Sequence, residues 1–113
     1  VTDNHLVIEG AGGLLVPLND DITIQDLIES TDHVIVVSRH YLGSINHTLM
    51  TLKLLKDKGY RLSLIYSGQE HQSTESIIAK MTNIPVIGSI DEEPYFDKNV
   101  IKEYAEKFKP NLT

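Results

Sequence analysis

His33-Val34-Ile35-Val36-Val37-Ser38 is a continuous run of mostly β-branched residues. Such side chains suit an extended backbone, and the absence of polar alternation reads as a strand buried on both faces. Ser44 then starts a helix over about residues 45–58, with Ile45, Leu49, Leu52 and Leu55 at helical spacing. Lys53, Lys56 and Lys58 fall in its later turns, where cations suit the helix dipole, and Gly59 stops it. Arg61-Leu62-Ser63-Leu64-Ile65-Tyr66 is the next strand. A strand, a long helix and a second strand in this order form a crossover unit, which makes the two strands parallel.

The same alternation extends outward. Upstream, His5-Leu6-Val7-Ile8-Glu9 reads as a buried strand that breaks into glycine. Thr23-Ile24-Gln25-Asp26 is a helix start with capping-box spacing, and Leu27 and Ile28 supply its apolar face. Downstream, Ser67-Gly68-Gln69 makes a loop, and a helix follows over about 73–82 with Ile77, Ile78 and Met81 inward. Pro85-Val86-Ile87-Gly88 is a short fourth strand. A last helix over 97–108 carries Val100, Ile101, Tyr104 and Phe108 on one stripe. The expected fold class is α/β, a parallel sheet with flanking helices in one segment spanning 1–113. Ligands of such sheets sit at the carboxyl ends of the strands, so the loops of interest are 9–22, 38–44, 67–73 and 88–97.

Bulk properties narrow the function classes. The formal charge of −6 argues against a nucleic-acid groove, which needs a basic stripe, and against an anionic membrane surface. The absence of cysteine excludes disulfides, thiolate metal sites and cysteine nucleophiles. No apolar run reaches the roughly 18 residues of a membrane span. The opening Val1-Thr2-Asp3-Asn4 has neither the pattern of a signal peptide nor an initiating Met, so a fragment of a longer protein is expected, although trimming or processing would look the same.

Two segments carry candidate chemistry. In Glu9-Gly10-Ala11-Gly12-Gly13 the glycines let backbone N–H groups approach an anion, and Glu9 is a hard oxygen ligand suited to Mg²⁺. A glycine turn beside a solvated acid is the plain alternative. In Leu42-Gly43-Ser44-Ile45-Asn46-His47 a flexible glycine precedes a Ser N-cap, and the free N–H groups of the first turn can receive a carboxylate or phosphate. Most helix starts of this kind bind nothing. His40 and His47 flank this loop and could meet, whereas His5 and His33 begin strands and fit surface positions. Asp91-Glu92-Glu93 could read ribose hydroxyls or be a solvated charge cluster.

Together these segments resemble the dethiobiotin synthetase family, specifically its C-terminal half. The resemblance rests on Val7-Ile8-Glu9-Gly10-Ala11-Gly12-Gly13 with Leu15-Val16-Pro17-Leu18, on Leu42-Gly43-Ser44-Ile45-Asn46-His47-Thr48-Leu49, and on Ile87-Gly88-Ser89-Ile90. It implies the C-terminal part of a P-loop NTPase-like three-layer fold in a cytoplasmic homodimeric ligase of biotin biosynthesis. That ligase uses ATP, Mg²⁺ and CO₂ or bicarbonate to carboxylate and cyclise 7,8-diaminononanoate. It further implies that Glu9 binds Mg²⁺ and that Gly10, Ala11, Gly12 and Gly13 lie against phosphates. Gly43, Ser44, Ile45 and Asn46 would bind the substrate carboxylate across the dimer interface, and Asp91, Glu92 and Glu93 would border base and ribose. Gly68 and Gln69 stand where ATP-using members place an Asn-Asp pair, which leaves the preferred base open. No Gly-x-x-x-x-Gly-Lys followed by Ser or Thr occurs in the chain, so it is expected to be inactive alone. A non-catalytic nucleotide- or anion-binding module and a related ATP-dependent ligase of the same superfamily are the alternatives. An isolated half-sheet exposes a strand edge and apolar faces, so association or marginal stability is expected.

Overall fold

A computed structural model describes residues 4–112; Val1, Thr2 and Asp3, read above for a start or leader, lie outside the described residues. The chain divides after Ser30 into two compact units. The second holds β1 (His33–Arg39), α1 (Ser44–Asp57), β2 (Arg61–Ser67), α2 (Gln72–Thr82), β3 (Val86–Ile90) and α3 (Lys98–Leu112). Its sheet is parallel with strand order β1-β2-β3, which bears out the α/β reading with three strands rather than four.

The first unit differs from expectation. Residues 5–9 form no strand, and Leu6, Val7 and Ile8 are exposed. Apolar content alone cannot make a strand, because its N–H and C=O groups need a neighbouring ladder, and among the described residues none pairs with this segment. The expected helix at Thr23 is a short 3₁₀ turn, Ile24–Leu27. Its capping reading holds: the Thr23 N–H donates to Asp26 Oδ2 at 2.7 Å. Leu27, however, is exposed rather than packed. Residues 14–25 fold back on themselves through Leu18 N–H to Ile22 O (2.8 Å) and Ile24 N–H to Val16 O (3.0 Å). Asn19 makes the turn, its Oδ1 accepting from the N–H groups of Asp21 and Ile22.

The core of the second unit lies on one face of the sheet, where Leu64 and Tyr66 of β2 meet Leu52 of α1 and Ile78 of α2, flanked by Val36, Leu49 and Ile84. Leu55 is fully buried as well, and burying each such side chain stabilises by roughly 1.5–3 kcal/mol. Strand β1 is covered on one face only. Ile35 and Val37 are exposed, contrary to the expectation of burial on both. On α1, Thr48 turns inward and Ile45 outward. Ser38 explains the exchange, because its buried hydroxyl pairs with Thr48 Oγ1 at 2.7 Å. On α2, Thr74, Ile78 and Thr82 face the core, four residues apart, while Ile77 and Met81 are exposed. Thr82 can face inward because its hydroxyl donates to Ile78 O within the helix at 2.7 Å. Of the expected α3 stripe, Phe108 is buried and Ile101 is exposed.

Strands β2 and β3 pair with a bulge: Leu64 faces Val86, but Ile65 faces Gly88. The carbonyl of Ile87, the residue passed over, accepts from Asn111 Nδ2 of α3 at 3.0 Å. Phe108 then lies directly on Gly88, where an added Cβ would come within 2.5 Å of the ring. Gly88→Ala should therefore destabilise the chain by about 1–3 kcal/mol through overpacking. Phe108→Leu in the Gly88→Ala background should recover part of the loss. Urea unfolding midpoints read both effects, and an unchanged midpoint for Gly88→Ala would show that α3 does not pack on β3 in this way.

Candidate functional site

The carboxyl ends of the three strands form one edge of the second unit. A cleft of about 300 Å³ opens there, lined by Arg39 at the end of β1, by Ser67 at the end of β2 and Gly68 after it, and by Asp91, Glu92, Glu93 and Phe96 after β3. Of the residues expected to contact nucleotide, Gly68, Asp91, Glu92 and Glu93 are thus brought together, and Gln69 does not line the cleft. Gly68 has φ +93°, a conformation that favours glycine, and its N–H donates to Ile90 O at 2.8 Å, closing the β2 end against β3.

The acidic loop is held from two sides. Arg39 Nη2 donates to Glu92 Oε1 at 2.8 Å across the face of Gly68, an exposed pair worth little as stability but able to set the shape of the rim. On the other side, the Tyr104 hydroxyl donates to Glu93 Oε1 at 2.7 Å and accepts from the Asp91 N–H at 3.0 Å. The bond to Glu93, aided by burial, raises the Tyr104 phenol above its usual range. Asp91 lines the cleft, and its charge adds to the upward shift of the Tyr104 phenol. A planar polar ligand is suited to such a cleft, with exposed Phe96 as a ring surface and with charges of both signs on the rim. Sequence reading missed Arg39, Phe96 and Tyr104. Arg39 ends a strand at the inspected loop 38–44, a usable signal, whereas Tyr104 read only as part of a helix stripe.

Gly43, Ser44, Ile45 and Asn46 begin α1 as expected, with one correction. Gly43, at φ +96°, is the N-cap, and Ser44 is the first helical residue, buried and without a capping role. The loop before the helix is closed by Ser44 N–H to Tyr41 O and by the Tyr41 hydroxyl against His47 Nδ1 at 2.6 Å. Glu9, Gly10, Ala11, Gly12 and Gly13 are exposed in the first unit, with Gly12 at φ +88° and Gly13 at φ +126°. These two positions require glycine, as the reading of a nest of backbone N–H groups supposes.

His40 and His47, which flank one loop, do not meet, whereas the His40 and His71 rings lie 5.9 Å apart. His47 pairs with Tyr41, and His40 Nε2 lies 3.3 Å from Glu75 Oε2 of α2. His33 Nε2 is 2.7 Å from Ser63 Oγ, and burial, then the Arg61 charge, lowers its pKa. Among the described residues no three His, Asp or Glu side chains are arranged to hold a metal ion.

Beneath His40 lies Tyr66, with ring centroids 5.2 Å apart and planes 25° off parallel. Burial, and secondarily the Glu75 charge, pushes the Tyr66 phenol up to about 12. A phenol in an unfolded chain ionises near 10. The raised folded value therefore contributes stability that is fully present below about pH 10 and is lost as pH rises through 12. Tyr66→Phe should abolish that alkaline loss. It should be near neutral at pH 7, because the hydroxyl it removes has no hydrogen-bond partner. Thermal melts from pH 7 to 11 test this, and an alkaline loss as steep in the variant as in the parent would refute it.

A family model described as an AAA domain matches residues 1–100. An ATP-dependent dethiobiotin synthetase from Christiangramia forsetii is 57% identical over 98% of this chain and 54% of its own length. Relatives of the same name from Cytophaga hutchinsonii and Paramagnetospirillum magneticum are 44% and 38% identical, over 96% and 83% of this chain and 53% and 47% of their own lengths. The chain spans about half the length of the curated relatives it matches. On these matches and the parallel α/β architecture, the chain belongs to the AAA domain family, with ATP-dependent dethiobiotin synthetases as its curated relatives.

Proposed function

We propose that this chain is the C-terminal half of a dethiobiotin synthetase, active together with a P-loop-bearing N-terminal half and inactive by itself. The observation that carries the reading is 57% identity to a dethiobiotin synthetase sustained over 98% of the chain. The reaction joins CO₂ to 7,8-diaminononanoate as a carbamate, activates it with the γ-phosphoryl of ATP, and closes the ureido ring with release of phosphate. The proposed enzyme is a cytoplasmic homodimer.

In this reading the strand-end cleft holds the nucleoside, with Gly68 and the 91–93 loop at base and ribose. Gln69 stands beside the cleft rather than in it. Gly10, Ala11, Gly12 and Gly13 offer backbone N–H groups to phosphate oxygens. Gly43, Ser44, Ile45 and Asn46 present the first-turn N–H groups of α1 to the substrate carboxylate. Glu9 fits Mg²⁺ as a single exposed carboxylate, since that ion takes one or two protein oxygens and fills its shell with water and phosphate. When bound, the ion neutralises charge on the transferring phosphoryl group. The lysine of the P-loop half would complete that neutralisation.

The test is complementation. This chain, mixed with or fused to the N-terminal half of the Christiangramia relative, should release phosphate from ATP only when Mg²⁺, bicarbonate and diaminononanoate are all present. The chain alone should release none. Glu9→Gln should lower the rate at least tenfold and raise the Mg²⁺ concentration needed for half-maximal rate. Diamine-independent phosphate release, or indifference to Glu9→Gln, would count against the assignment.

A further inference from the structure

Loop 40–43 joins the end of β1 to the α1 N-terminus, and its first residue is anchored more firmly than packing requires. The His40 side chain is only 12% exposed, sits on the Tyr66 ring, and places Nε2 3.3 Å from Glu75 Oε2. The same Glu75 oxygen accepts the His71 backbone N–H at 3.0 Å, at the N-cap of α2. One carboxylate oxygen therefore ties the first turn of α2 to the residue that opens the α1 loop.

This arrangement has a cost. With Nε2 turned to Glu75, His40 Nδ1 is buried without a hydrogen-bond partner. The Tyr66 hydroxyl is likewise buried and unpaired, in a residue 3% exposed. Leu and Phe would fill the same space with no orphaned polar atom. A directional bond kept at such expense fixes position rather than stability. What it fixes is the start of a short lever. Ser44 N–H bonds Tyr41 O, so the residue next to His40 is tied to the first amide of α1.

We infer that His40, held by Glu75, is a positioning residue that sets the α1 N-terminus for the substrate carboxylate. The inference rests on the proposed role of Gly43, Ser44, Ile45 and Asn46. Neither His40 nor Glu75 touches substrate in this scheme. Their effect is on carboxylate recognition and leaves the nucleotide cleft as it is.

The experiment uses the complemented enzyme, with diaminononanoate and the same diamine carrying a methyl group in place of the carboxylate. The parent should have a lower KM for the acid than for the methyl analogue. His40→Leu should raise the KM for the acid about tenfold, the effect of losing one bond to a charged group. It should leave the KM for the analogue and for ATP within about twofold, so the acid–analogue ratio collapses. His40→Gln, which retains a donor for Glu75, should restore most of the ratio, which a merely space-filling role would not. Glu75→Ala should reproduce His40→Leu from the other partner and covers the case in which His40→Leu does not fold. A parent that treats acid and analogue alike overturns the carboxylate reading, and this inference with it. A parent that distinguishes them, with the ratio preserved in His40→Leu or in Glu75→Ala, overturns the inference alone.

Discussion

The parallel ladder on both sides of β2 is the constraint on which the second unit depends. β1 pairs with β2 in unbroken register from His33 opposite Arg61 to Arg39 opposite Ser67, and β3 joins the other edge. Parallel strands cannot be joined by tight turns, so each connection must cross over through a helix. That requirement places every strand exit at one edge. Arg39, Ser67 and Ile90 are consecutive in space though far apart in sequence, and Arg39 and Ser67 line the cleft with the residues that follow Ser67 and Ile90. The bulge at Leu64–Ile65 adjusts the third strand so that Gly88 meets Phe108 and α3 can lie close to the sheet.

Much of this was legible in the sequence because it rests on periodicity. The run at 33–38, the helix after Ser44 and the strand at 61–66 each carry a local pattern strong enough to set type and extent. Which face of a helix points inward was less legible where polar residues chose it. Ile45 and Ile77 looked like core residues, yet Thr48 and Thr82 are buried in their stead. A threonine is an inward residue only when an acceptor or donor awaits it, such as Ser38 Oγ for Thr48 or Ile78 O for Thr82. The first of those partners comes from another element, ten residues away, and no local pattern reveals it. The apolar segment 5–9 failed for the complementary reason, since a strand is a property of a pair and its own residues say nothing about the neighbour.

The site was legible in part for the same reasons. Glycines with positive φ betray themselves by their type, and positions 12, 13, 43 and 68 all have it. Acidic residues do not reveal their commitments. Glu92 and Glu93 looked equivalent to Asp91, but Arg39 of β1 and Tyr104 of α3 each hold one of them. Arg39 lies 53 residues from Glu92 and Tyr104 lies 11 from Glu93, and they converge on the acidic run only in the fold. Their effect is to turn a charge cluster, which repulsion would otherwise spread, into a rim of defined shape.

A common principle joins the cleft and the α1 N-terminus. At both places a side chain from another element holds a strand-end loop still. Tyr104 grips the Asp91 N–H from α3, and Glu75 reaches from α2 to His40 at the head of the α1 loop. Helices α2 and α3 therefore do more than cover the sheet. Each contributes one hydrogen-bonding side chain to a strand-end loop, and the directionality of those bonds supplies a precision that apolar packing alone does not give.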